Sequence, residues 1–206
     1  MTGLLLVGGE GPSIGYLRPF VTEVSYVIAA DSGLDLARGL GIQPDLIVGD
    51  MDSLSDRRLL EEYPKERVIL FPADKDETDT EIGLRLLKEK GVDRVILAGG
   101  GGGRLDHLLG ILLLFERDFY PRVWITAHEH VEIIENRAEY RTSINQLMSF
   151  FPIGGCVAGL HSTGLKWPLD GLFWKRGEGG ISNRATSSKV TIEVASGRLL
   201  MTTALQ

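Results

Sequence analysis

The sequence predicts an α/β plus all-β chain. A mostly parallel-sheet, Rossmann-like domain over residues 1–127 is followed by a small C-terminal β-sandwich over residues 128–206. Three observations predict it. From Leu4 to about Thr126, short apolar runs alternate with helical patterns, as βαβ units do. Beyond Ala127 the helical period disappears, and β-prone stretches are separated by turn signals. Four acidic segments each follow an apolar run, and a strand-then-helix alternation puts their carboxylates at one edge of a sheet.

Six strands are expected in the first domain: Leu4 to Val7, Tyr26 to Ala30, Leu46 to Val48, Val68 to Phe71, Val95 to Ala98 and Val123 to Thr126. Between them, Leu34 to Leu40 reads as a helix closed by Gly41 and Pro44, and Thr78 to Lys90 as one closed by Gly91. Thr78 and Glu81 have capping-box spacing. An apolar helix is expected from Leu108 to Phe115. In the second domain the β-prone runs are Val131 to Ile134, Leu147 to Phe151, Val157 to Leu160, Lys189 to Val194 and Arg198 to Thr202. Turns are expected at Pro152 to Gly155, Asp170-Gly171, Gly179-Gly180 and Ser196-Gly197. An all-β piece this small is near the lower limit of independent stability, so it is expected to pack on its neighbour or on a second subunit.

At 206 residues and 43% hydrophobic, the chain can bury a core. Its net charge of −6, from 22 basic and 28 acidic residues, gives no general field to attract nucleic acid or an anionic membrane. Any anion it binds must be captured locally. The only cysteine, Cys156, cannot form an internal disulfide and is expected in the core. No signal-peptide pattern or membrane-length apolar run is present, so a soluble, cytoplasmic protein is expected.

The acidic segments are Asp31, the pair Asp50 and Asp52, the stretch Asp74 to Asp79, and Asp106. Carboxylates gathered closely raise each other's pKa unless a cation offsets them, and a divalent metal holding a polyphosphate is the natural resident. Singly, Asp31 also reads as the N-cap of the following helix. Asp50 and Asp52, one residue apart beside Ser53, can share one hard cation such as Mg²⁺. Acids at the start of the helix near Thr78 complement its dipole, whereas Lys75 does not and suits phosphate. Gly99 to Gly103 fit a turn or a close backbone approach to an anion, without the ending of a Walker loop. Arg104 after them could clamp phosphate oxygens, and Asp106 could hold metal or take a proton. Trp167 reads as core or as a platform for a flat heterocycle, and Ser182-Asn183 as a turn or as polar contacts to one. His128 and His130 lack the cluster that zinc needs.

Taken in order, Asp31-Ser32-Gly33, Pro44-Asp45 with Gly49-Asp50-Met51-Asp52-Ser53, Lys75-Asp76 with Thr78-Asp79, Gly103-Arg104-Leu105-Asp106-His107, Gly164 to Leu169 and Ile181-Ser182-Asn183 resemble the thiamine pyrophosphokinase (thiamine diphosphokinase) family over nearly the whole chain. The resemblance implies transfer of a diphosphoryl group from the co-substrate ATP to the thiamine hydroxyl, yielding thiamine diphosphate and AMP and requiring Mg²⁺. It also implies a homodimer with active sites between the α/β domain of one subunit and the β domain of the other. It casts Asp50, Asp52 and Asp79 as metal ligands. Asp31, Ser32, Gly33, Ser53, Thr78, Gly103 and His107 fall on the nucleotide side. Lys75, Asp79, Arg104 and Asp106 become catalytic residues, and Trp167, Ser182 and Asn183 thiamine contacts. The base is Asp106 or Asp79. Two departures stand out: a longer glycine run, and Met51 where the family usually has an aromatic. A metal-dependent nucleotide phosphohydrolase and a non-catalytic nucleotide or thiamine sensor are the rival readings.

Overall fold

Aliphatic runs buried on both faces are what a parallel sheet covered by helices requires. In the computed structural model, which describes residues 1–205, Leu4, Leu5, Leu6, Ile28, Ala29, Ile47, Val48, Val95 and Leu97 are fully buried. Two units emerge, Met1–His128 and a second that begins at Glu129.

The first unit runs β1 (Thr2–Val7), α1 (Ile14–Val21), β2 (Val24–Ala30), α2 (Gly33–Leu40) and β3 (Leu46–Gly49). Two 3₁₀ turns follow, Arg57–Glu62 and Lys65–Arg67, then β4 (Val68–Leu70), α3 (Asp79–Glu89), β5 (Arg94–Ala98), α4 (Leu105–Leu114) and β6 (Pro121–Ile125). Its strands lie in the order β6-β5-β1-β2-β3-β4, every neighbouring pair parallel. The chain works outward from β1 through β4, then returns to β5 on the other side of β1. That reversal opens a crevice at the carboxyl ends of the strands, where ligands bind in such sheets.

All six expected strands form. Thr78 caps α3 in a complete capping box: its hydroxyl accepts from the Glu81 N–H, and the Glu81 carboxylate accepts from the Thr78 N–H. Two features depart from expectation. Helix α1 was not foreseen because Gly15 and Pro19 interrupt its pattern, although Ser13 caps it. Helix α4 starts at Leu105, not Leu108, so Arg104 is its N-cap and Asp106 and His107 lie in its first turn.

The second unit comprises β7 (Glu129–Ile134), β8 (Arg137–Arg141), β9 (Leu147–Ala158), β10 (His161–Thr163), β11 (Gly180–Arg184), β12 (Lys189–Glu193) and β13 (Ser196–Ala204). Two antiparallel sheets, β11-β9-β13-β7 and β10-β12-β8, enclose a core that includes Met148, Phe150, Val157, Val190, Ile192, Leu199 and Met201. The turn expected at Pro152 to Gly155 is absent. Two expected strands merge into β9, and the glycines take up a register shift against β13. Ile181 to Asn183 likewise lie in β11, with a register shift of their own, and not in a free turn. Cys156 is exposed, contrary to expectation, on a strand whose neighbouring Val157 faces the core.

Helix α2 carries two glycines with opposite demands. A Cβ on Gly33 would lie 2.1 Å from the Leu6 carbonyl oxygen, because the helix starts directly against β1, whereas a Cβ on Gly39 would meet nothing within 4 Å. Gly33→Ala should lower unfolding stability by about 3 kcal/mol, and Gly39→Ala should raise it by roughly 0.5–1 kcal/mol. Urea denaturation of the two variants should show these opposite signs.

Candidate active site

Strands β2 and β3 end side by side, and each delivers an aspartate. Asp31 follows β2 in a left-handed conformation, φ 49, with its N–H bonded to the Val48 carbonyl at 2.8 Å. It does not cap α2: the N-cap position is Ser32, whose side chain makes no capping bond. Asp50 follows β3 after Gly49, whose φ of 139 suits glycine and whose Cβ would stand 3.2 Å from that of Asp31. Asp79 comes from elsewhere, as the first residue of α3. One carboxylate oxygen from each of Asp31, Asp50 and Asp79 lies within 4.8 Å of the others.

Asp52, expected to share a cation with Asp50, is not in this group. It is exposed, gives its N–H to Asp50 Oδ1 at 3.1 Å and accepts from the Ser53 hydroxyl at 2.9 Å. The i, i+2 spacing therefore builds a turn bond onto Asp50, and the second carboxylate of the group comes from the end of the neighbouring strand. Lys75 stands at the group, its ammonium 3.1 Å from Asp50 Oδ2 and 3.3 Å from Asp79 Oδ1. At 14%, 15% and 20% exposure, the side chains of Lys75, Asp50 and Asp79 are sheltered from solvent screening.

Burial pushes the Asp31 carboxyl up, and the charges of Asp52 and Asp50 add to that, against bonds from Ser32 and Ser53. Burial also raises Asp79, with Lys75 opposing. Asp50 is lowered, first by the Asp52 N–H and then by Lys75. Burial disfavours charge on Lys75, but Asp50 and Asp79 outweigh it and its pKa rises. Asp31 Oδ1 is buried without a hydrogen-bond partner, and buried Asp79 Oδ1 meets only the Lys75 ammonium. A buried, unpartnered oxygen of Asp31 beside the carboxylates of Asp50 and Asp79 forms an all-oxygen donor set that fits a hard cation of the Mg²⁺ type and does not suit zinc.

On the other side of β1, the glycine run behaves differently from the anion cradle expected. The N–H groups of Gly99, Gly100 and Gly101 bond to the carbonyls of Ile125, Gly8 and Glu10 at 3.0, 2.8 and 3.1 Å, and the Glu10 N–H returns a bond to Gly101. The loops after β1 and β5 are thus clasped together. Gly102, Gly103 and the start of α4 remain for an anion. There Arg104 and Asp106 pair with each other, 73% and 60% exposed, and Asp106 also accepts from the His107 N–H at 3.0 Å. The Arg104 guanidinium holds the Asp106 carboxyl below its usual range. Ser32 sets its hydroxyl against Gly8 in the loop after β1. The Thr78 side chain is committed to its capping box.

In the second unit, Trp167 is 51% exposed, which removes the core reading, and the Lys166 ammonium lies 4.6 Å from its ring centroid. Asn183 is buried. Its amide is spent on the chain, donating to the Trp167 carbonyl at 2.6 Å and accepting from the N–H groups of Trp167 and Arg184. It fixes the segment that presents Trp167. Ser182, left-handed at φ 59, is exposed and donates its N–H to the Ser149 hydroxyl.

Sequence reasoning missed the groups that hold the acidic loop from behind. Arg57 donates to the carbonyls of Asp50 and Met51, and Asp35 accepts from the Ser55 N–H and hydroxyl. Bonds to main-chain carbonyls leave no spacing signal that could have revealed them.

Two family models match the chain: thiamin pyrophosphokinase, catalytic domain, over residues 17–125, and thiamin pyrophosphokinase, vitamin B1 binding domain, over residues 132–199. Thiamine pyrophosphokinase of Bacillus subtilis is 29% identical over 207 residues, covering 96% of this chain and 95% of its own. The crystal structure of a thiamine pyrophosphokinase from Bacillus subtilis superposes with a TM-score of 0.80 at 27% identity, covering 100% of both chains. That of the thiamin pyrophosphokinase from Geobacillus thermodenitrificans gives 0.76 at 27% identity, covering 100% of this chain and 98% of its own. The yeast thiamin pyrophosphokinase, at 16% identity and a TM-score of 0.68 over 99% of this chain and 86% of its own, shares the fold. With both models matched across most of its length, the chain belongs to the thiamin pyrophosphokinase family.

Proposed function

We propose that this chain transfers a diphosphoryl group from ATP to the hydroxyl of thiamine, giving thiamine diphosphate and AMP, with Mg²⁺ as its cofactor. The observation that carries the reading is the sheltered group of Asp31, Asp50 and Asp79 with Lys75 at its side, standing at the carboxyl ends of a parallel sheet. Three carboxylates in that setting call for a cation, and a cation there calls for an anionic partner such as a triphosphate.

The thiamine hydroxyl oxygen attacks the β-phosphorus in line, forming one P–O bond while the bond from that phosphorus to the oxygen bridging the α-phosphate breaks; AMP leaves, and the hydroxyl proton passes by way of Asp106 to solvent. Such transfers need little covalent help, so catalysis comes from placement and charge neutralisation. Bound Mg²⁺ supplies charge neutralisation on the phosphate oxygens, and Asp31, Asp50 and Asp79 are the residues that would hold it. Lys75, already at the carboxylates, offsets charge on the transferred group. Arg104 clamps phosphate oxygens at the start of α4. Asp106, kept anionic by Arg104, accepts the hydroxyl hydrogen bond and orients the oxygen; its lowered pKa makes it a weak base, in keeping with a transition state that demands little proton removal. Trp167 offers a flat face to the heterocycle, and exposed Ser182 on β11 offers a polar contact. Thiamine's positive thiazolium also gains from an acidic surrounding.

The active enzyme is read as a homodimer with active sites between subunits, supported by the small size of the second unit. A cytoplasmic location is supported by the single exposed Cys156, a thiol suited to a reducing compartment. Among the described residues no helix is long and apolar enough to cross a membrane.

Purified protein incubated with ATP, Mg²⁺ and thiamine should yield AMP and thiamine diphosphate in equal amounts, read by chromatography. ATP consumption without thiamine would instead favour a phosphohydrolase, and ligand binding without turnover a sensor. Asp50→Asn should lower turnover by about a thousandfold or more, on the scale of losing a principal electrostatic contributor.

Because burial raises the pKa of Asp31 and Asp79, the folded protein binds their protons more tightly than the unfolded chain does. Their contribution to stability is therefore full below the ordinary carboxylate range and is lost as pH rises through the elevated folded values. Asp31→Asn keeps a residue that tolerates φ 49 and removes this loss. In metal-free buffer at neutral pH it should melt about 2–4 °C above the parent, with the gain vanishing in acid, while the rise in melting temperature on adding Mg²⁺ should shrink.

A further inference from the structure

We infer that Arg57 is a positioning residue that sets the metal affinity of the acidic group by gripping the backbone that carries Asp50. The inference rests on the reading of Asp50 as a cation ligand. Arg57 opens the 3₁₀ turn that follows the acidic loop, a turn capped by Asp56 through the Arg58 N–H. Its Nε donates to the Met51 carbonyl and its Nη2 to the Asp50 carbonyl, each at 2.9 Å. Among the described residues it forms no ion pair, so its guanidinium serves main-chain oxygens and not carboxylates.

Such a grip is needed because the loop holds an unfavourable conformation. Met51 lies at φ 61, a left-handed value that a side-chain-bearing residue rarely adopts unless its surroundings over-determine it. One restraint is burial: the Met51 side chain is 1% exposed and packs with Ala29, Leu34, Ile47 and Leu59. A second is Asp35 on α2, which holds Ser55 further along. The third is Arg57, which holds both carbonyls flanking the strained residue, while the Asp52 N–H of the second peptide unit bonds to Asp50 Oδ1. A planar fork can bridge two adjacent carbonyls; an ammonium on a flexible stem holds one. If the fork is lost, the Asp50 carboxylate is no longer fixed relative to Asp31 and Asp79, and a rigid, small cation with strict geometry is penalised first.

The test uses full-length Arg57→Ala and Arg57→Lys, with Arg58→Ala as control because Arg58 pairs only with Asp56 at the surface, 83% exposed. Two titrations with Mg²⁺ are read: the rise in melting temperature of the nucleotide-free protein, and the activation of AMP release with kcat taken at saturating Mg²⁺. Arg57→Ala should need about tenfold more Mg²⁺ at both midpoints, with kcat at saturation near the parent value. Arg57→Lys should fall between, and Arg58→Ala should match the parent. A parental Mg²⁺ midpoint in Arg57→Ala, even with lowered melting temperature, would show a merely structural role and overturn the inference. Should Arg57→Ala fail to fold, Arg57→Lys decides: a shifted midpoint supports the inference and a parental one overturns it. A parent that makes no thiamine diphosphate, yet whose thermal Mg²⁺ midpoint moves in Arg57→Ala, would sink the proposed reaction and leave the positioning role standing. A parent that makes both products, with an unmoved midpoint in Arg57→Ala, would do the reverse.

Discussion

Mutual repulsion among Asp31, Asp50 and Asp79 is the constraint around which the first unit is organised. Their oxygens sit within 4.8 Å in a sheltered place, and Asp31 Oδ1 has no hydrogen-bond partner. Like charges so disposed favour protonation or dispersal, so something rigid must hold them. Asp31 is tied by its N–H to β3, Gly49 lets the end of β3 come up against it, and Asp79 is fixed by a capped helix whose dipole favours a carboxylate in its first turn. Lys75 offsets part of the charge. The remainder is what makes the place hospitable to a divalent cation.

The order of the strands turns that local problem into a crevice. Since β1 lies between β2 and β5, the acids gather on one side of it and the clasped glycine loop with Arg104 and Asp106 on the other. A long polyanion is suited to such a layout, with hard cation chemistry on one side and a guanidinium on the other. The glycines contribute chiefly by letting two backbones bond to each other. The N–H groups outside that clasp are those of the last two glycines and the helix start.

Much of this was legible in the residues. Alternation of apolar runs with helical patterns located all six strands of the parallel sheet, and the Thr78 to Glu81 spacing located a helix start to the residue, because burial and capping leave periodic traces. Asp50, Asp79 and Lys75 were singled out by composition against context. What escaped was set by contacts that sequence does not encode locally. Asp31 looked like a cap because nothing in its neighbourhood reveals a left-handed φ. At Asp52, i, i+2 spacing cannot tell a shared ion from a turn, and the turn is the part that the structure shows. The Pro152 to Gly155 turn became part of a long strand because tertiary pairing with β13 overrode local preference. Asn183 stood out as part of a motif, but its bonds to the Trp167 carbonyl and to the N–H groups of Trp167 and Arg184 left no local trace, and Arg57, which acts on carbonyls, was invisible as a motif.

The central claim is that three aspartates from β2, β3 and α3 converge on one hard cation. A crystal structure of the protein with Mg²⁺ and a non-hydrolysable ATP analogue tests it most directly. The account predicts an octahedral ion about 2.1 Å from oxygens of Asp31, Asp50 and Asp79, with the remaining positions filled by phosphate oxygens or water. An ion bound instead by the exposed Asp74 and Asp76, or nucleotide bound with the three carboxylates uninvolved, would contradict it.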